Sequence, residues 1–62
     1  MHVPAARELV EIVGRSEKFL VVWVDDEGHG VDVISLTSKT YLTGVPFALV
    51  RPYRDDVPLE TS

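Results

Sequence analysis

The chain of 62 residues contains no cysteine. That excludes disulfides and thiolate zinc sites as staples. A domain this small buries only about 60% of its unfolded surface. Apolar packing must therefore carry its stability, or a second copy must help, and homodimerisation is one way to cover so small a core. No apolar run approaches the ~20 residues needed to span a bilayer. Residues 1–15 lack a basic start and interrupt their apolar positions with Arg7, Glu8 and Glu11, unlike a secretory signal. A cytoplasmic protein without membrane association is the expectation.

Positive charge is also scarce. Six Lys and Arg stand against ten Asp and Glu, for a net charge of −4. The deficit is local: Asp25, Asp26, Glu27 and Asp32 surround one turn, and Asp55, Asp56 and Glu60 outweigh Arg54 in the tail. Nucleic-acid binders usually carry a basic face, because phosphate neutralisation supplies most of their affinity. The overall balance argues against that role. Its alternative carriers are Arg15, Lys18, Lys39 and Arg51, should folding gather them.

Valine is the recurrent apolar residue, and β-branched side chains suit pleated, half-buried surfaces. The run Phe19–Val24, the turn Asp25–Gly30 and the run Val31–Leu36 together read as a β-hairpin. Gly28 and Gly30 are expected to supply positive φ angles there. Phe19 to Val24 is apolar at every position, as in a central strand covered on both sides. Residues 8–13 read as a further strand, since Val10 and Ile12 alternate around Glu11. The alternative is a helix over 4–13, started by Pro4 and stopped by Gly14. A short strand over 40–42 is expected to break at Gly44-Val45-Pro46, because Pro46 cannot donate to a ladder and extends the residue before it. Phe47 to Arg51 reads as the last strand, stopped at Pro52. The expected organisation is one domain over 1–53 and a flexible acidic tail over 54–62.

The fold class expected from this pattern is all-β, a five-stranded small barrel; the alternative is α+β, with the 4–13 helix packed on a small antiparallel sheet. Phe19-Leu20-Val21-Val22-Trp23-Val24-Asp25-Asp26, Gly30-Val31-Asp32-Val33, Gly44-Val45-Pro46 and Leu49-Val50-Arg51-Pro52 resemble the SH3-like small barrel, and within it the Tudor type. The resemblance spans residues 8–52 at the level of fold. It implies binding of peptides, methylated basic side chains or nucleic acid, or a purely structural role.

Catalysis is not expected. The serines have only His2 and His29 as bases, neither in a nucleophile context. Asp25 and Asp26, adjacent at a strand end, point in opposite directions. Asp25-Asp26-Glu27-Gly28-His29 lacks the alternating ligands of a calcium loop and reads as a solvated turn, so neither metal nor cofactor is expected.

Trp23 has two readings. By alternation with Phe19 and Val21, and like Phe47, it belongs to the core. Beside the acidic turn it belongs to a cation-attracting face, each contact of this kind contributing about 0.5–2 kcal/mol. The expected function is a non-catalytic interaction module. It binds a basic peptide or protein segment through Trp23, Asp25, Asp26, Glu27, Asp32 and Tyr53, with a methylated lysine as one such ligand. The alternatives are the nucleic-acid barrel and a structural subunit that pairs by a strand edge or with itself.

Overall fold

The structure, a computed structural model, describes residues 3–53. It is all-β. Five strands follow in order: β1 (Leu9–Ile12), β2 (Phe19–Asp25), β3 (Gly30–Ser35), β4 (Tyr41–Pro46) and β5 (Val50–Pro52). They form one antiparallel sheet in the order β4-β3-β2-β1-β5. The alternative helix over 4–13 does not form. Leu9–Ile12 is a strand that buries Val10 and Ile12 on one side, so the alternation around Glu11 prevails over the Pro-to-Gly punctuation. The acidic tail over 54–62 lies outside the described residues.

The expected barrel is not closed. β4 and β5 are the two edges of the sheet, with no ladder between them among the described residues. Both edge strands end in a proline, Pro46 and Pro52, and proline offers no N–H to a closing ladder. β5 has only three residues.

Two further expectations are corrected at β4. Gly44-Val45-Pro46 does not break the strand but completes it, with Val45 opposite Val31 and Pro46 opposite Gly30. Phe47–Leu49, expected as strand, forms a 3-10 turn. The Phe47 N–H donates to the His29 carbonyl (2.8 Å), and the Val13 N–H donates to the Leu49 carbonyl (2.9 Å). The turn is thus tied to the β2–β3 connection on one side and to the end of β1 on the other.

The core occupies one face of the sheet. Val10, Ile12, Phe19, Val21, Val31, Val33, Val50 and Phe47 are buried, with Val24, Leu42 and Val45 packed partly against them. Among the described residues the buried polar side chain is Ser35, and its hydroxyl is fully used. It donates to Glu17 Oε2 (3.2 Å) and accepts the N–H groups of Thr37 (3.2 Å) and Ser38 (3.1 Å). A buried hydroxyl costs little when satisfied in this way. It joins the loop before β2 to the turn after β3.

Candidate functional site: an acidic cleft beside Trp23

Two irregularities in the ladder meet at Asp32. Val21 pairs with Val33, but Trp23 pairs with Asp32, so Val22 is an extra residue in β2. On the other flank Val31 pairs with Val45 and Val33 with Leu42, leaving Thr43 and Gly44 together opposite Asp32. Each is a β-bulge, which turns the strand and resets which side chains face inward. Gly44 has φ +66°, a conformation that glycine adopts without steric cost. Its N–H donates to Asp32 Oδ1 (3.1 Å). The carboxylate thus satisfies a backbone donor at the bulge.

The bulge in β2 decides the position of Trp23. Phe19 and Val21 face the core, but one extra residue reverses the phase and Val24 takes the next inward place. Trp23 is thrown onto the outer face, 63% exposed. The core reading of Trp23 from simple alternation is therefore corrected, whereas Phe47, grouped with it, is core.

The β2–β3 turn supplies the remaining walls. Asp25 accepts the Gly28 N–H at Oδ1 (3.1 Å), an aspartate turn that folds the chain back on itself. The residue with positive φ here is His29 (56°), not Gly28 or Gly30 as expected. The two glycines matter through space instead. A Cβ on Gly28 would lie 2.5 Å from Asp25 Oδ2, and one on Gly30 would lie 3.3 Å from the Val45 carbonyl oxygen. His29 stands edge-on to Phe47, ring centroids 5.8 Å apart at 89°, which anchors the turn to the core.

Together these residues enclose a cleft of about 310 Å³ lined by Trp23, Asp25, Gly28, His29, Gly30, Asp32, Gly44 and Pro46. An exposed indole stands beside two carboxylates, and no Lys or Arg is in the lining. Asp25 and Asp32 each accept one backbone N–H at Oδ1. Such a site can accept hydrogen bonds from a cation while the ring face attracts its charge.

The sequence-derived candidates separate into two groups. Trp23, Asp25 and Asp32 share the cleft. Asp26 and Glu27 lie in the same turn, exposed, outside the lining. Tyr53 does not join them. Its N–H donates to the Leu9 carbonyl (3.1 Å), two strands from β2 and three residues back along it, roughly 14 Å from Trp23 by sheet geometry. Its ring carries the Lys18 ammonium at 4.9 Å.

The four basic candidates are also partly gathered. Arg51 pairs with Glu11 across β5 and β1, Lys18 lies level with Leu36 through the Leu36 N–H to Lys18 carbonyl bond (2.9 Å), and Lys39 closes the β3–β4 turn with its N–H on the Ser35 carbonyl (2.9 Å). Arg51, Lys18 and Lys39 thus fall on one line across the outer face, with Glu11 and Leu36 between them. Arg15 stands apart, in an ion pair with Glu17 (3.2 Å).

Glu17 is a centre that residue patterns alone did not single out. It accepts hydrogen bonds from Ser38 (2.9 Å), Ser35 (3.2 Å) and Arg15 (3.2 Å). The Ser38 hydroxyl above all holds its carboxyl below the usual range; partial desolvation opposes this, and Arg15 and Ser35 add to the lowering. Its two serine partners lie 18 and 21 residues away, beyond any local motif. His29 and Pro46 were likewise not singled out as site residues, the first reading as turn filler and the second as a strand breaker.

Among the described residues no cluster of His, Asp and Glu is arranged to hold a metal ion, and no helix is long and apolar enough to cross a membrane. Compared with known protein families, curated proteins and solved structures, the chain matches none of them.

Proposed function

We propose that this protein is a non-catalytic interaction module that binds a basic segment of another protein. A Lys or Arg side chain of the partner lies against Trp23 and hydrogen-bonds to Asp25 and Asp32. The observation that carries this reading is the exposure of Trp23 in the same cleft as those two carboxylates. A tryptophan with 63% of its surface in water contributes little to a core, and exposed aromatics of this kind commonly anchor interfaces. Asp26 and Glu27 add a longer-range field that steers a cationic partner.

We also read the sheet as an open form of the SH3-like small barrel, nearest the Tudor type. Support comes from the meander order β4-β3-β2-β1-β5 and the 3-10 turn ahead of the last strand.

An amide-resolved NMR titration with a Lys/Arg-rich peptide tests the reading. Shifts should concentrate on residues 23–32 and Gly44. Asp25→Asn with Asp32→Asn should weaken binding about tenfold or more, the loss of two charge-assisted hydrogen bonds. Unchanged affinity would overturn the assignment.

A second reading has one observation in its favour: Arg51, Lys18 and Lys39 share a line beside Tyr53 and Tyr41 on the outer face. Single-stranded nucleic acid binds through such a combination of cations and stacking rings. The same titration with short single-stranded DNA separates the two, because its shifts would fall on Lys18, Lys39, Tyr41 and Tyr53 rather than on the cleft.

A further inference from the structure

The outer face of the sheet carries an apolar stripe across β1 to β4 that continues at Tyr53, just past β5. Leu9 pairs with Leu20, Leu20 with Ile34, and Ile34 with Tyr41. Tyr53 extends the row through its N–H bond to the Leu9 carbonyl, with the Lys18 ammonium over its ring. All five side chains point away from the core that Val10, Phe19, Val33 and Leu42 form on the opposite face. Tyr41 is 54% exposed and Leu9 40%. Leu20, Ile34 and Tyr53 are half-buried, so the row is a continuous apolar surface most open at Leu9 and Tyr41, of the kind that marks an interaction site.

Its flanks differ in charge. On one side lie Arg51, Glu11, Lys18, Leu36 and Lys39, a predominantly basic row. On the other lie Arg7, Val22 with Trp23, Asp32 and Thr43, leading to the acidic turn. We propose that the stripe is a homodimer interface, with the two-fold axis running along the row.

That axis is selected by the charges. Rotation about it lays the stripe on itself, Tyr41 against Tyr41 and Leu20 against Leu20. It brings Lys18 of the second copy level with Val22 and Trp23, and Glu11 level with Arg7. The other in-plane axis, parallel to the strands, sets Lys18 on Lys18 and Arg51 on Lys39, a like-charge arrangement that disfavours it. A two-fold interface must be self-complementary, and only the first axis satisfies this.

The footprint is modest. Five strands at ~4.8 Å and three rows of side chains at ~6.6 Å give a face of roughly 24 by 20 Å. That outline is below the ~800 Å² per partner of a standard interface, so the dimer is weak, in the micromolar range or above. The inference does not rest on the peptide-binding reading. Its flank row includes Trp23 and Asp32, which also line the cleft, so dimer and peptide compete there, but Tyr41 lies outside the cleft lining and tests the dimer alone.

Sedimentation velocity from tens of micromolar to about one millimolar should show a concentration-dependent dimer in the full chain. Tyr41→Lys, with an unchanged circular dichroism spectrum, should raise the dissociation constant about tenfold or more. Because the chain has no cysteine, single-cysteine variants report the axis cleanly. Tyr41→Cys should oxidise to a disulfide dimer faster than Val3→Cys, which is exposed and outside the five strands. A monomer at every concentration, or equal cross-linking of the two variants, would overturn the proposal. So would a dimer that Tyr41→Lys leaves intact.

Discussion

Truncating Trp23 to alanine distinguishes a core residue from a surface one by stability alone. A buried Trp or Phe costs about 3–5 kcal/mol on truncation to Ala. Trp23 is 63% exposed, so it withdraws only about a third of its area from water. Taking ~250 Å² for the whole side chain, that is about 90 Å², or about 2 kcal/mol at ~25 cal/mol/Å². Compact unfolded chains lower the figure by ~10–40%, and the Cβ that Ala retains lowers it further, to about 1 kcal/mol. A domain of this size has about 3–9 kcal/mol in total. Trp23→Ala should therefore remain folded in urea unfolding followed by far-UV circular dichroism, while losing peptide binding. Phe19→Ala, at a position with no exposed surface, should cost about 3–5 kcal/mol, a large share of that total. A Trp23→Ala loss above about 3 kcal/mol would refute the reasoning, since it would return the indole to the core despite the bulge.

Three other outcomes follow from the same geometry. Glu17 has a folded pKa below its ordinary value near 4.5, so its contribution is complete above about pH 4.5 and is lost as the pH falls through the folded value; Glu17→Gln should flatten the stability profile in that acid window. Gly44→Ala meets no neighbouring atom but must hold φ +66°, so denaturation should show a loss of about 1 kcal/mol. Gly28→Ala puts a Cβ 2.5 Å from Asp25 Oδ2 and should displace that carboxylate, visible as reduced affinity for a basic peptide with little change in melting temperature.

The strand content was legible because it rests on local chemistry. Val10 and Ile12 around Glu11, and Val31 and Val33 around Asp32, alternate with the two-residue period of a strand. Both pairs are buried where that period places them. The acidic turn was equally legible, as a Gly-rich interruption between two β-branched runs. Trp23, in contrast, belongs by period to the same face as Phe19 and Val21, and only the extra residue at Val22 moves it. No residue type in Phe19–Asp25 announces that bulge, because it is a property of the pairing of β2 with β3. The grouping of Tyr53 with the cleft failed for a related reason. Its partner strand is β1, 44 residues earlier at Leu9, and such pairing carries no local signal.

By itself the sequence determined what alternation, composition and turn chemistry can encode: an all-β chain without disulfides, a β2–β3 hairpin and a cluster of carboxylates at its tip. Tertiary structure decided which of those groups meet. The bulges at Asp32 exposed Trp23 and joined it to Asp25 and Asp32, and the register of five strands aligned Tyr53, Leu9, Leu20, Ile34 and Tyr41. Strand phase and register are set by hydrogen bonds between segments distant in the chain, where a shift of one residue exchanges the two faces of the sheet.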